Sequence, residues 1–254
     1  MNIKLITLTQ EIKHFLYVFL QQSFFRKGVK KKINDEEICF PLEYSRYYPK
    51  DYETFKQDFI SKHASGICVD LGAHIGLYTV LMSRKAEQVI AFEPTDYTRK
   101  ILEQTLTLNN CNNVEVRSDV VSESTGVIKF HDTGSRISNA NSLVPVGKSI
   151  NLNSLALDDL QLSIDFLKID IEGAELMALK GAKNLLSSVK YMTIEIHPSL
   201  LRKLGQSADE IFHLLEEYQP RYYFEGKPTS PEKLAQIIDH YEVNISLNGS
   251  CVKI

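Results

Sequence analysis

A chain of 254 residues, 43% apolar and 24% charged, with a formal charge of −3, has the make-up of a soluble globular protein. It is long enough for one α/β domain of about 190 residues plus a sizeable N-terminal extension. The slight acidic balance argues against nucleic acid as an obligatory partner, because phosphate-binding domains carry a basic excess.

Cys39, Cys68, Cys111 and Cys251 are scattered, with no Cys-x-x-Cys pair or zinc-site spacing, and read as free thiols of a reducing cytoplasm. No stretch has the roughly 20 continuous apolar residues that cross a bilayer. The N-terminus does not read as a signal peptide either, since Glu11 and Lys13 interrupt its apolar region and the basic cluster follows it.

Taken in order, residues 1–32 carry Ile12, Phe15, Leu16, Phe19, Leu20 and Phe24 at helical spacing, then Arg26, Lys27, Lys30, Lys31 and Lys32. Such a segment packs on the rest of the chain or on a second copy, or else lies peripherally on the inner face of an anionic membrane. A homo-oligomer stays open on the same grounds. From Glu43 to Phe59 the rings Tyr44, Tyr47, Tyr48, Tyr52, Phe55 and Phe59 suit core or cap packing, with Tyr47 and Tyr48 the candidates for touching a substrate.

Ile67–Pro94 is the stretch that organises the chain. An apolar run ending in Asp70, a turn with Gly72 and Gly76, a helical pattern through Tyr78, and a second apolar run ending in Glu93 make a βαβ unit of a parallel sheet. Gly72 allows a tight turn and close approach of a ligand, and Gly76 lets the helix sit close to the sheet. Glu93 lies where an acid accepts both hydroxyls of a ribose. A carboxylate at Asp70, just before the glycines, would repel a pyrophosphate. It suits S-adenosylmethionine, which carries an ammonium and a sulfonium and no phosphate. Residues 63–254 then form the domain that binds this donor, and residues 1–62 a helical extension or cap.

A helix follows, capped by Thr95 or Asp96 and buried along Tyr97, Ile101, Leu102 and Leu106, and then a third strand at Val114–Val116. At its carboxyl end Asp119 is a candidate acceptor for an adenine amino group, with a backbone N–H from Val120. Gly126–Phe130 reads as an extra strand leading into a polar loop, His131–Ser142.

The second informative stretch, Asp165–Glu175, is a buried strand ending in Asp170, then a turn at Gly173 and a helix. Asp170 faces the methyl donor in this reading, Glu172 lies one turn further out, and Glu175 serves as a charge at the helix N-terminus. The strand Tyr191–Ile196 brings Glu195 and His197 to the same rim and the same face. A histidine there is a candidate base, since its pKa lies near working pH. A capping box at Ser207 and Glu210 starts a further helix, and Arg221–Phe224 and Ser250–Ile254 read as closing strands.

The segments Asp-Leu-Gly-Ala-His-Ile-Gly at 70–76, Ala-Phe-Glu-Pro at 91–94 and Phe-Leu-Lys-Ile-Asp-Ile-Glu-Gly-Ala-Glu at 166–175, with Leu179–Ala182 and the later Glu195 and His197, resemble the FkbM family of S-adenosylmethionine-dependent methyltransferases. The likeness covers roughly residues 66–225. It implies a Rossmann-like class I fold, a seven-stranded mostly parallel sheet with helices on both faces and the last strand antiparallel. The reaction it implies is most often O-methylation of a hydroxyl on a sugar, glycolipid or polyketide-like acceptor. His74 stands where the family commonly has Asn, which puts any contact of that side chain in question.

Methyl transfer needs the acceptor oxygen held in line with the sulfonium methyl and relieved of its proton. Two arrangements fit: His197 as general base, oriented by Glu195 or Asp170, or a divalent cation on Asp170, Glu172 and His197. The first is preferred, because that ligand set is thin for an all-protein magnesium site. The rivals are N-methylation of a small amine and a methyltransferase-like binding protein without catalysis. Convergence of Asp70, Glu93 and Asp170 weighs against the latter.

Overall fold

The computed structural model describes residues 12–20, 23–133, 142–145 and 147–248. Residues 12–20 are helical (α1), and a hairpin of β1 (Val29–Ile33) and β2 (Glu36–Phe40) follows. Next come α2 (Thr54–His63), β3 (Ile67–Leu71), α3 (Leu77–Ser83), β4 (Gln88–Phe92), α4 (Asp96–Leu108) and β5 (Val114–Arg117). A side sheet is made by β6 (Val120–Val121), β7 (Gly126–Asp132) and β8 (Lys148–Leu155). The second half contains β9 (Phe166–Ile169), α5 (Glu175–Lys180), α6 (Lys183–Leu186), β10 (Tyr191–Ile196), α7 (Pro198–Lys203) and α8 (Ala208–Leu215). It closes with β11 (Arg221–Phe224), β12 (Lys227–Thr229), α9 (Pro231–Leu234) and β13 (Tyr241–Ser246).

The main sheet runs β12-β11-β13-β10-β9-β3-β4-β5. From β5 to β10 the pairs are parallel, and β13, β11 and β12 add antiparallel pairs. The strand order reverses between β3 and β9, so the crevice at their carboxyl ends is where an open α/β sheet takes a ligand. Eight strands stand where seven were expected. The extra one arises because Glu225 and Gly226 both adopt positive φ, 47° and 73°, and fold β12 back onto β11 in a tight hairpin. The antiparallel strand beside β10 is Tyr241–Ser246, and the expected strand Ser250–Ile254 lies outside the described residues.

Alternation along the central strands feeds two apolar layers. Val69, Leu71, Ile90, Phe92, Leu167 and Ile169 face α5 and α8, whereas Cys68, Val89, Ala91 and Phe166 face α2, α3 and α4. The second layer also takes in Ile33, Ile38, Phe40, Tyr44, Tyr48, Phe59 and Ile60. The N-terminal segment is therefore only partly helical, and from residue 29 it shares the core of the sheet. The capping box of α8 forms as the sequence indicates.

On α1 the rings and aliphatics that were expected to pack are exposed: Phe15 is 74%, Leu16 53% and Phe19 54% accessible. The basic run is no free cationic turn, because Lys30 and Lys32 pair with Glu37 and Asp35 across the hairpin and Lys31 donates to the Tyr48 carbonyl. Among the described residues no helix is long and apolar enough to cross a membrane.

Gly72 is required for a reason other than ligand approach. Its φ is +75°, and a Cβ there would lie 1.8 Å from the carbonyl oxygen of Asp170. Gly72→Ala is expected to cost about 2–4 kcal/mol of stability, from left-handed backbone strain and the collision of two strand ends. A urea midpoint unchanged in that variant would contradict this packing. Gly76, at φ +97°, yields space to Leu102 of α4 and not to the sheet.

Candidate active site

The carboxyl ends of β3, β4, β5 and β9 open into a cleft of roughly 950 Å³, its mouth included. Gly72, His74, Tyr78, Glu93, Asp119, Val120, Asp170 and Glu172 line it, together with Tyr47 and Tyr48. Asp70, Gly76, Glu195 and His197 do not reach its lining.

Glu93 sits at one end, 7% exposed. Its two oxygens accept from the backbone N–H groups of His74, at 3.0 Å, and Thr95, at 2.9 Å, which fixes the carboxylate and leaves further lone pairs free. Burial pushes its pKa up to about 7, against the pull of those N–H groups. Asp119 follows β5 and accepts from Arg117 Nε at 3.2 Å. Among the described residues no lining cation is free for a phosphate: Lys168, 2% exposed, donates to the carbonyls of Leu71 at 3.2 Å and Gly72 at 2.9 Å, and pairs with Asp70 at 3.0 Å.

That pairing keeps the Asp70 carboxylate below the lining of the cleft. Its carboxylate is fully buried, held by Thr79 Oγ1 at 2.6 Å and by Lys168. Asp70 therefore stiffens the turn from below. Lys168 is a residue that sequence reasoning passed over, although a lysine inside a buried strand between two aspartates is itself a signal of pairing.

An aromatic wall closes one side. Tyr47 and Tyr48 meet edge to face at 4.9 Å, and the Tyr47 ring lies 5.1 Å from His74. The Tyr48 hydroxyl is 3.4 Å from His74 Nδ1. Burial lowers the His74 pKa to about 4, so this side chain is a neutral part of the wall. The Tyr78 hydroxyl donates to Glu53.

At the other end Asp170, Glu172 and His197 converge, with ligand-capable atoms all within 4.8 Å of one another. Burial pushes the Asp170 carboxyl up, but Lys168, Lys56, His197 and His74 outweigh it and hold it below the usual range. Glu172 is pushed up to about 7, mainly by burial. Its φ of +52°, followed by Gly173 at +95°, turns the chain out of β9 so that both acids face the cleft.

His197 is oriented by Glu175 and not by Glu195 or Asp170. Its Nδ1 lies 2.9 Å from Glu175 Oε1, which also accepts the Gly173 N–H at 2.8 Å. Glu175 is fully buried, so the charge read as a helix-end ornament is part of the site's support. His197 Nε2 faces Glu172 at 3.5 Å and Glu195 at 3.7 Å. Burial would lower its pKa, but the Glu175 hydrogen bond and the charges of Glu175, Glu172 and Glu195 raise it to about 9. The candidate base thus stands outside the lining of the cleft, its Nε2 turned to two carboxylates.

Behind this end lies a second buried cation, also missed. Lys56, 1% exposed, pairs with Glu53, with Glu195 at 3.1 Å and with Glu242 at 3.5 Å. Burial alone would drive its ammonium towards neutrality, but Glu242, Asp170, Glu195 and Glu53 keep it charged. Glu195 is thus engaged with Lys56 and stands beside His197 rather than in the cleft.

An open doubly wound sheet whose last strands run antiparallel, with acids at the tips of its central strands, defines a class I methyltransferase fold. The chain belongs to the FkbM methyltransferase family: residues 70–222 match the profile described as the methyltransferase FkbM domain. It is similar to hexuronic acid methyltransferase AglP of Haloferax volcanii, 32% identical over 133 residues, 50% of this chain and 54% of that protein. The chain thus spans about half the length of the curated relative it matches. Solved structures with a similar fold include a methyltransferase FkbM from Methylobacillus flagellatus KT, with TM-score 0.47 and 22% identity, covering 72% of this chain and 44% of that one. Another is SMU.1697c, a putative methyltransferase from Streptococcus mutans in complex with SAH, with TM-score 0.46 and 14% identity, covering 76% and 96%.

Proposed function

We propose that the chain is an S-adenosylmethionine-dependent O-methyltransferase acting on a hydroxyl of a sugar, with a uronic acid the first acceptor class to test. The observation that carries this reading is the buried Glu93 carboxylate, held by two backbone N–H groups at one end of a cleft whose other end is Asp170 and Glu172. The residues fit the donor on its chemistry. Glu93 has acceptor capacity for a ribose hydroxyl, Asp119 offers an acceptor for an adenine amino group, and the absence of a free cation among the described lining residues suits a ligand without phosphate. When bound, the donor supplies an electrophilic methyl group.

The chain's own residues do the rest. Tyr47 and Tyr48 offer ring faces for a sugar and exclude water from that side. Lys168 and Asp70 hold the Gly72 turn and the end of β9 in fixed relation, so the acceptor meets a preset geometry. The acceptor hydroxyl lies against the Asp170 and Glu172 carboxylates that line the cleft and gives its proton to one of them as the methyl passes from sulfur to oxygen. The hexuronic acid specificity printed in the name of AglP supports a sugar acceptor for this relative of it.

Calorimetric titration with S-adenosylhomocysteine tests the donor site without the acceptor. Micromolar binding is expected, followed by methyl transfer to members of a panel of uronic acids, neutral sugars and amines. A folded protein that binds none of the product would end the reading, and transfer to amines alone would replace its acceptor.

A further inference from the structure

We infer that Asp170, Glu172 and His197 bind one divalent cation, of the manganese or magnesium class, at the inner end of the cleft. Two ligands of one such ion, with bonds near 2.1 Å, lie about 3.0 Å apart when adjacent and about 4.2 Å when opposed. The 3.5 Å between His197 Nε2 and Glu172 Oε2 falls between these, and the full set lies within 4.8 Å, so an ion would draw the widest pair together by up to about 0.6 Å if opposed and more if adjacent.

The support behind the histidine is the independent observation. Glu175 is fully buried, one of its oxygens lies 2.9 Å from His197 Nδ1, and its other oxygen has no partner among the described residues. A carboxylate behind one ring nitrogen fixes the tautomer and aims the lone pair of the other, the arrangement that supports metal-bound histidines. The aimed atom, Nε2, looks at the carboxylates of Glu172 and Glu195. Nε2 in that position faces two carboxylates, so either a proton on the ring or a cation belongs between them.

Neither nearby lysine supplies it. Lys56 is held by Glu53, Glu195 and Glu242, and Lys168 by Asp70 and two backbone carbonyls. The remaining competitors are a second proton on the His197 imidazole and the ring of His240, which stacks on it and lies 4.0 Å from Glu195, and the experiment separates both from an ion. Two carboxylates and one imidazole form a mixed oxygen and nitrogen set, better matched by manganese than by the strictly oxygen-seeking calcium. Asp170 and Glu172 line the cleft, so the ion's other positions open to water or to an acceptor oxygen. Such an ion lowers the pKa of a bound hydroxyl and removes the need for a free base. This deepens the function proposed above, on which it rests for the cation's purpose but not for its binding.

The test is titration of the full chain with manganese chloride after chelation and dialysis, read by electron paramagnetic resonance of the free ion. One ion per chain is expected, with affinity reduced at least tenfold in both Glu172→Gln and His197→Gln. Glu172 is partly exposed, so Glu172→Gln is the variant that keeps its fold, checked by circular dichroism. S-adenosylhomocysteine binding is measured in parallel and is expected to change less than threefold in Glu172→Gln. No stoichiometric manganese on a wild-type protein that binds S-adenosylhomocysteine, or binding undiminished in both variants, overturns the cation site. Manganese binding without S-adenosylhomocysteine binding upholds it and strikes the donor reading instead.

Discussion

Lys168→Met is expected to lower the unfolding free energy by about 3–5 kcal/mol, the usual consequence of removing one partner from a buried ion pair. Asp70 is completely enclosed and Lys168 is 2% exposed, so no water can replace the ammonium. The same nitrogen also satisfies the carbonyls of Leu71 and Gly72, both at the end of β3. Loss of the lysine therefore strands a charge and two acceptors at once. The double variant Asp70→Asn/Lys168→Met removes the stranded charge and is expected to recover most of the stability. Urea unfolding checks both, and a single variant as stable as the wild type would show that the pair carries no such weight.

Glu93→Ala is expected to weaken S-adenosylhomocysteine binding by about 10²–10⁴-fold, since each of two hydrogen bonds to a charged group is worth about 1.5–3 kcal/mol. The fold should survive, because the loss removes an acceptor whose burial already pushes its pKa up to about 7. That raised value gives the reading a pH dependence. Below pH 7 the free protein holds Glu93 protonated, and accepting both ribose hydroxyls requires the carboxylate. Binding therefore releases a proton in this range, and affinity falls by up to about tenfold per pH unit as the pH drops below 7. Calorimetry at pH 6 in two buffers of different ionisation enthalpy measures that proton; equal heats in both would contradict the assignment. Glu93→Gln is expected to lose the proton release along with most of the affinity.

The central strands were legible because their residues satisfy local and global demands together. Val69, Ile90 and Leu167 had to be buried wherever they lay, and the acids at 70, 93 and 170 marked where the runs end. β8 was not legible: Lys148–Leu155 is polar along one edge and derives its strand character from pairing with β7 over seven residues. The hairpin β1–β2 was hidden by its lysines, which read as a charge run until Glu37 on the facing strand and Asp35 in the turn are seen to pair with Lys30 and Lys32.

At the site, spacing revealed the acids and concealed the bases that hold them. Lys168 meets Asp70 through tertiary packing, and so does Lys56 its partners Glu195 and Glu242 from far along the chain, Glu53 alone being local. Glu175 looked like a helix-end charge because its target, His197, lies on a different strand's end. Tyr47 and Tyr48 reached the cleft as expected, but no local pattern distinguished them from Tyr44, which is buried away from it.

The ammonium of Lys56 has an evolutionary corollary. It comes from α2, upstream of the family-matched region, and it neutralises acids on β10 and β13 near the other end of the chain. Segments exchanged between relatives at the start of the matched region would separate Lys56 and Glu53 from Glu195 and Glu242. A hybrid whose two ends come from different relatives is expected to leave buried charge unpaired and to lose stability unless both ends match.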